Sequence, residues 1–292
     1  MKVAIIGGGA IGLLFASYLS KKHEVTIYTR TKEQAKMLQE KGLSLINQQD
    51  ETQIIKLSSF PMDQMNQVDS DIVIVAVKQY HLNDLMDHLK SIRNSSLLFL
   101  QNGMSHLSYL DTLPAESIFV GVVEHGAQRI DPITVKHTGL GVTRFGLWKG
   151  GLSFEEEELS EEGFPFVLQA NPTLMLKEKL LVNCVINPLT ALLQVPNGQL
   201  VDNPYYYQLF QVVFEEGVHA LHMSSKEQLF NKVEQICRKT AQNHSSMFKD
   251  LQVGRKTEIE AIVGSVLEEA KKNKSRVPTL EFLYNAIKGK EV

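Results

Sequence analysis

Cysteine is scarce: Cys184 and Cys237 are the only two in 292 residues. Neither a disulfide framework nor the clustered thiolates of a zinc site can be built from that pair. Cys184 falls in an apolar helical pattern, where a small buried thiol is the default. No apolar run approaches the roughly 18 residues needed to span a bilayer. The formal net charge is only −3, which gives no basic field for nucleic acid or a membrane surface. The first residues read as a strand followed at once by glycines, unlike a signal peptide, and the cytoplasm is the expected compartment. Internal repeats and low-complexity segments are absent as well. What is present is a 43% hydrophobic content and enough length for two domains.

The strongest local signal lies at the start. Lys2–Ile6 (KVAII) reads as a buried parallel strand. Gly7-Gly8-Gly9-Ala10-Ile11-Gly12 follows, then an apolar helix pattern. This is G-x-G-x-x-G on Gly7, Gly9 and Gly12, set between strand and helix. The first glycine permits the tight turn, the second lets backbone approach a pyrophosphate, and the third lets helix and strand pack closely. Free N–H groups at the helix start then face the phosphates. The plain alternative is a glycine-rich turn with no ligand. The second strand (EVTIY) ends in Thr29-Arg30-Thr31 with no acid until Glu33. An NAD-selective protein usually carries an Asp or Glu there for the ribose 2′-OH. Arg30 instead suits a 2′-phosphate, with a threonine hydroxyl on either side, so NADP(H) is expected over NAD(H). A solvated arginine at a strand end is the alternative.

The chain continues as a doubly wound sheet. Thr31–Lys41 reads as a helix, residues 42–57 as short extended pieces, Asp71–Lys78 as a buried strand, Gln79–Leu89 as helical and Ser96–Leu100 as a strand. Lys78 and Asn102 fall at carboxyl ends of strands, where open α/β sheets bind ligands. Residues 118–123 and 134–146 suggest antiparallel strands closing the sheet, and the acidic run Glu155–Glu162 a solvated helix face. A change of pattern near Pro165–Pro172 divides an α/β domain, residues 1–168, from an all-helical domain, residues 169–292. Helices are expected at 174–194, 204–223, 226–239, 257–272 and 278–288.

One helix of the second half carries a polar stripe. In KLLVNCVINPLTALLQVPNG, Lys179, Asn183 and Asn187 stand at i, i+4 and i+8 on one face. Around them run Leu180, Leu181, Val182, Val185, Ile186 and Leu189. Polar groups in so apolar a helix need partners, since burying one unpaired costs roughly 2 kcal/mol or more. A lysine at a helix edge with two capping amides would satisfy that. Three together, followed by Pro196-Asn197-Gly198, point to a ligand pocket. Further on, Asn243 and Ser246 stand three apart, and Glu258 opens another helix behind Thr257, a plausible cap. An acid there suits the helix dipole without further purpose.

In this order and spacing the glycine loop, VKQY, QNGM, EHGA, KLLVNCVINPLTAL, PNG, NHSSM and RKTEIE strongly resemble the ketopantoate reductase (2-dehydropantoate 2-reductase) family over nearly the whole chain. The resemblance implies NADPH-dependent reduction of ketopantoate to (R)-pantoate in pantothenate and coenzyme A biosynthesis. It implies that Lys179 is the catalytic acid, and that Asn102, Asn183, Asn187, Asn197 and Ser246 bind substrate. Gly7, Gly8, Gly9, Ala10, Ile11, Gly12, Arg30, Lys78, Asn102 and Ala127 would contact the cofactor, and Glu258 the cofactor–substrate junction. No metal, nucleic acid or membrane is implied, and a homodimer is possible. One departure is Glu124, where the family pattern has a small hydroxyl residue: its carboxylate could repel an anionic substrate or point away. Other readings are a paralogous NADP-dependent reductase of another 2-oxo acid, and a dinucleotide-binding sensor without turnover.

Overall fold

The computed structural model describes residues 1–65 and 68–291. It divides into two compact units. The first comprises Met1–Gln101 and His106–Met175; the second comprises Asn102–Ser105 and the chain from Leu176 onward. The change therefore falls at Met175/Leu176 rather than at 168/169. The short segment holding Asn102, expected with the nucleotide domain, packs with the helical unit.

In chain order the first unit runs β1 (Lys2–Ile6), α1 (Ala10–Leu19), β2 (Glu24–Thr29), α2 (Lys32–Lys41), β3 (Leu43–Ile46), β4 (Thr52–Ile55), β5 (Ser58–Pro61) and β6 (Ile72–Val75). It continues with α3 (Met86–Ser91), β7 (Ser96–Phe99), α4 (Leu107–Leu110), β8 (Ile118–Val123), β9 (Gly126–Arg129), β10 (Thr134–Gly139), β11 (Thr143–Lys149), α5 (Glu156–Leu159) and β12 (Phe166–Leu168). The main sheet has the order β12-β11-β8-β7-β6-β1-β2-β5. From β5 to β8 every pair is parallel. The progression outward from β1 to β2 and β5 on one side, and to β6, β7 and β8 on the other, is that of a Rossmann-type sheet, with its switch point between β1 and β6. Buried on both faces, β1 and β6 read as continuous apolar runs (AII and IVIV) for that reason.

The closing strands differ from expectation. β8 is parallel to β7; the reversal comes at β11, which pairs antiparallel with β8, and β12 runs parallel to β11. Thr134–Gly139 leaves this sheet and joins a second one, ordered β4-β3-β10-β9. Residues 79–89 form two 3-10 turns, Gln79–His81 and Asn83–Leu85, before α3; Asn83 and Asp84 favour such local turns over a continued helix. The core behind α1 is aromatic: Phe15 meets Phe164 and Phe166 edge-on, and Tyr18 stacks on Phe164.

The remaining helices are α6 (Pro172–Leu193), α7 (Gln199–Asp202), α8 (Pro204–Ala220), α9 (Lys226–Lys239), α10 (Ser246–Gln252), α11 (Ser265–Asn273) and α12 (Pro278–Lys290). The expected helix 257–272 is a π-helical turn, Glu260–Gly264, running into α11. Leu180, Leu181, Cys184 and Val185 of α6 are fully or almost fully buried in a core shared with Phe210, Phe214 and Val266. Burial raises the Cys184 thiol far above its usual range, so it packs as an inert small side chain. Among the described residues no helix is long and apolar enough to cross a membrane.

Candidate functional site

The glycine loop lies at the carboxyl end of β1, at the switch point. Gly7 has φ +120°, and a Cβ there would sit 2.9 Å from the Ala76 carbonyl oxygen. At Gly12 a Cβ would come 1.8 Å from the Gly7 carbonyl oxygen, so α1 reaches the strand only without a side chain. At Gly9 a Cβ would meet nothing within 4 Å. The turn and the close packing thus account for Gly7 and Gly12, while Gly9 borders open space where a ligand's phosphates can approach. α1 begins next, with no side-chain cap and no acid in its first turn. Its N–H groups are the donors an anion needs. Ala10 and Ile11 form its first turn. Gly8 has a different reason: the Gln34 amide occupies the place of its side chain, 2.6 Å from an added Cβ.

Arg30 is exposed just beyond β2, with Nη1 3.3 Å from His81 Nε2. The flanking threonines are engaged locally. Thr29 donates its hydroxyl to the Thr31 carbonyl at 2.8 Å, and the Thr31 hydroxyl caps α2 by accepting the Gln34 N–H at 3.2 Å. They shape the Arg30 turn: Thr29 commits its hydroxyl proton, whereas Thr31 caps with a lone pair and keeps its proton to donate. Lys78 is half-buried beyond β6, and its ammonium stands 5.9 Å from the centre of the Tyr80 ring. Ala127 lies on β9, paired with His137 of β10. Glu124 is exposed and meets Arg144 at 3.4 Å. A cation from β11 therefore stands against the carboxylate that departs from the family pattern.

In the helical unit, three of the expected residues meet. Asn183 Nδ2 donates to Asn102 Oδ1 at 3.4 Å, and Asn102 Nδ2 donates to Glu258 Oε2 at 3.2 Å. A carboxylate only accepts, so Asn102 must turn its NH₂ to Glu258 and its oxygen to Asn183. The series has one direction and ends on an acid. Lys179, half-buried, precedes Asn183 by one helical turn of α6, and Asn187, 8% exposed, follows it by one turn. Asn102 is held there by its neighbours. A Cβ on Gly103 (φ +81°) would come 1.9 Å from the Ala261 carbonyl oxygen, and the Met104 N–H donates to Ser265 Oγ at 3.5 Å. Glu258 is set by Thr257, whose hydroxyl accepts the Ile259 N–H at 3.1 Å and donates to Glu291. Pro188 lies inside α6; it lacks the N–H that would serve the Cys184 carbonyl, a defect that costs on the order of 3 kcal/mol in an ordinary helix.

Asn197 lies in the turn after α6, and Ser246 at the start of α10. Asn197 donates Nδ2 to Thr240 at 2.9 Å, and its buried Oδ1 has no hydrogen-bond partner among the described residues. Its backbone N–H donates to the Asn243 carbonyl. Ser246 is the exposed first residue of α10. The buried serine of the pair is Ser245, which caps that helix and lies 2.8 Å from the Thr190 hydroxyl of α6.

Family models for ketopantoate reductase PanE/ApbA and for its C-terminal part match residues 3–150 and 173–291. The chain belongs to the ketopantoate reductase family. The 2-dehydropantoate 2-reductases of Bacillus subtilis and Listeria innocua are each 40% identical to it, covering all of this chain and 98% and 97% of their own. A crystal structure of the probable 2-dehydropantoate 2-reductase panE from Bacillus subtilis matches with a TM-score of 0.90 at 38% identity, covering both chains completely. A D-mandelate dehydrogenase solved with NADH and anilino(oxo)acetate shares the fold at a TM-score of 0.90 and 23% identity, covering 100% of this chain and 98% of its own.

Within this ketopantoate reductase fold, two residues beside the glycine loop escape a reading of the sequence. Gln34 is 8% exposed and shares the buried side of α2 with Leu38, four residues on. An amide on an otherwise apolar stripe was the available signal. Arg129 donates Nη1 to the Gly8 carbonyl at 3.2 Å, and nothing in the local sequence distinguishes it from a solvated arginine.

Proposed function

We propose that this chain is an NADPH-dependent 2-dehydropantoate 2-reductase, with Lys179 as the general acid. The observation that carries the reading is the directed series Asn183, Asn102, Glu258 beside Lys179 on α6, in a chain of this family. The glycine loop fits a dinucleotide because its geometry leaves the side-chain place of Gly9 open. A dinucleotide held there by its phosphates would supply the hydride for the ketone carbon. As the carbonyl oxygen gains charge, Lys179 stabilises it and donates the proton that completes the alcohol. Asn183 and Asn187 lie roughly 6 and 12 Å further along α6 by helical rise, which lets their amides hold the rest of a short hydroxy-keto acid. Glu258, already accepting from Asn102, is suited to accept from a hydroxyl as well. Arg30 is assigned the 2′-phosphate, the group that separates NADPH from NADH.

The test is the oxidation of NADPH and of NADH by the purified protein with ketopantoate and, separately, with other aliphatic and aryl 2-oxo acids. Fastest turnover with NADPH and ketopantoate is expected. A preference for NADH refutes the role of Arg30, and turnover only with another 2-oxo acid replaces the substrate.

A further inference from the structure

We propose that Gln34 is a positioning residue for the cofactor: it clamps the Gly8 carbonyl and thereby turns the Gly9 N–H toward the dinucleotide's pyrophosphate. The inference rests on the reading of the glycine loop as a dinucleotide cradle, and goes beyond it by naming what holds the loop in its binding shape.

A pair of adjacent glycines is a poor anion trap on its own. Neither has a Cβ to restrict it, so the peptide between them can rotate and present either its N–H or its carbonyl to a ligand. A carbonyl facing a pyrophosphate would repel it. Something must choose between the two orientations, and the choice is visible in the hydrogen bonds. Gln34 Nε2 donates to the Gly8 carbonyl at 2.8 Å and to the Pro132 carbonyl at 2.7 Å. Two carbonyl acceptors at one end of the amide fix which end carries the NH₂, and both of its hydrogens are used. Arg129 Nη1 adds a second donor to the same Gly8 oxygen at 3.2 Å. The peptide is planar and trans, so its C=O and N–H point in opposite directions. With the Gly8 oxygen held by Gln34 and Arg129, the Gly9 N–H points away from them. The side-chain place of Gly9 is the open one in the loop.

The clamp is itself held in place. Gln34 is the residue whose backbone N–H is taken by the Thr31 cap of α2, and its side chain is buried. Its amide lies so close to Gly8 that any side chain there would collide with it. The loop, α2 and β9 are joined at the Gly8 oxygen, and the Gln34 amide ties the turn before β10 to them through the Pro132 carbonyl. The loop is therefore ordered before the ligand arrives, which lowers the cost of binding without a direct contact from Gln34.

The experiment compares the native protein with Gln34→Met, which keeps the shape and removes both donors. Binding of NADPH and of adenosine 2′-monophosphate is measured by calorimetry, together with kcat at saturating NADPH. The monophosphate carries the group assigned to Arg30 but has no pyrophosphate. The expected result is an NADPH Kd raised about tenfold, as for loss of one good hydrogen bond at the phosphates, with the monophosphate Kd and kcat within twofold of native. Equal NADPH affinity in Gln34→Met overturns the clamp, as does an equal loss for both ligands. Failure of the native protein to bind NADPH overturns the cofactor reading, and the clamp with it. Should Gln34→Met not fold, Gln34→Asn is read by the same criteria; it keeps an amide in the slot but is one methylene too short to hold Gly8. Arg129→Met, at an exposed side chain, should raise the NADPH Kd about threefold, and no change there removes Arg129 from the clamp.

Discussion

The two candidate ligand regions are made of different material. Around the glycine loop the working groups are backbone N–H groups, and the side chains matter by being absent: Gly7 and Gly12 have no room for one, and Gly9 leaves room for a ligand. On α6 the working groups are side chains, with Asn183, Asn102 and Glu258 already bonded to one another. A backbone site can be blocked by an added atom but has no side-chain chemistry to lose. A side-chain site can be disabled atom by atom with the fold intact. The two should therefore fail in different ways.

The largest effect is expected at Lys179. Lys179→Ala should lower kcat by roughly 10²-fold or more, as for removal of a general acid, with the melting temperature little changed because the side chain is only half-buried. Near-native turnover would remove Lys179 from the chemistry. The glycines should show the opposite pattern. Gly12→Ala places a methyl group against the Gly7 backbone and should cost about 1–3 kcal/mol of stability, as overpacking does, seen as a lower denaturant midpoint. Gly9→Ala has no such clash and should leave stability unchanged while raising the KM for NADPH. If Gly9→Ala destabilises the protein as much as Gly12→Ala does, the division of labour within the loop is wrong. Asn183→Ala should be milder: about a tenfold rise in the KM for ketopantoate, the worth of a hydrogen bond in a partly buried site, with NADPH binding unchanged. An equal loss for both ligands would count against a substrate role.

This contrast also explains what could be read in the sequence. Glycine spacing encodes backbone shape directly, so the cradle is legible within six residues. The stripe Lys179, Asn183, Asn187 is legible because helical periodicity is local. Asn102 was assigned to the wrong unit because its place is decided by Gly103 meeting Ala261 and by Met104 bonding to Ser265, contacts that no local pattern reports. The Thr29 and Thr31 hydroxyls beside Arg30 were legible as residues but not in their local bonds, which depend on how the chain turns between β2 and α2. Thr134–Gly139 has strand character in either sheet, and only its pairing with β3 and β9 decides which.

The smallest effect separates the units by acidity. Both histidines with a strongly lowered pKa lie in the first unit. His106 is fully buried against Phe99, and neither ring nitrogen has a hydrogen-bond partner among the described residues; burial pushes it down to about 4. His125 is pushed down to about 4 by burial and then by the neighbouring His137. Its Nδ1 accepts the Gly141 N–H at 3.2 Å, so the His137 Nε2 that faces it at 3.2 Å must be the donor, and His137 Nδ1 accepts from the Tyr18 hydroxyl at 2.7 Å. The Gly141 bond requires the His125 ring to be neutral, and His137 accepts from Tyr18 when it is neutral too. His137 is lowered as well, chiefly by burial. Folded values below the unfolded value of about 6.5 mean that the unfolded chain binds more protons between pH 6.5 and 4. Stability from these groups is complete above about pH 6.5 and is lost as the pH falls toward 4, by roughly 1 kcal/mol for each of His106 and His125 at pH 5.5. The helical unit's His219, His222 and His244 are exposed. Hydrogen exchange at pH 7.5 and pH 5.5, corrected for intrinsic rates, should therefore show protection falling in β8 and β10 before α8. Equal loss in α8 would mean that the two units open together, and that the acid sensitivity of the first is shared by the whole chain.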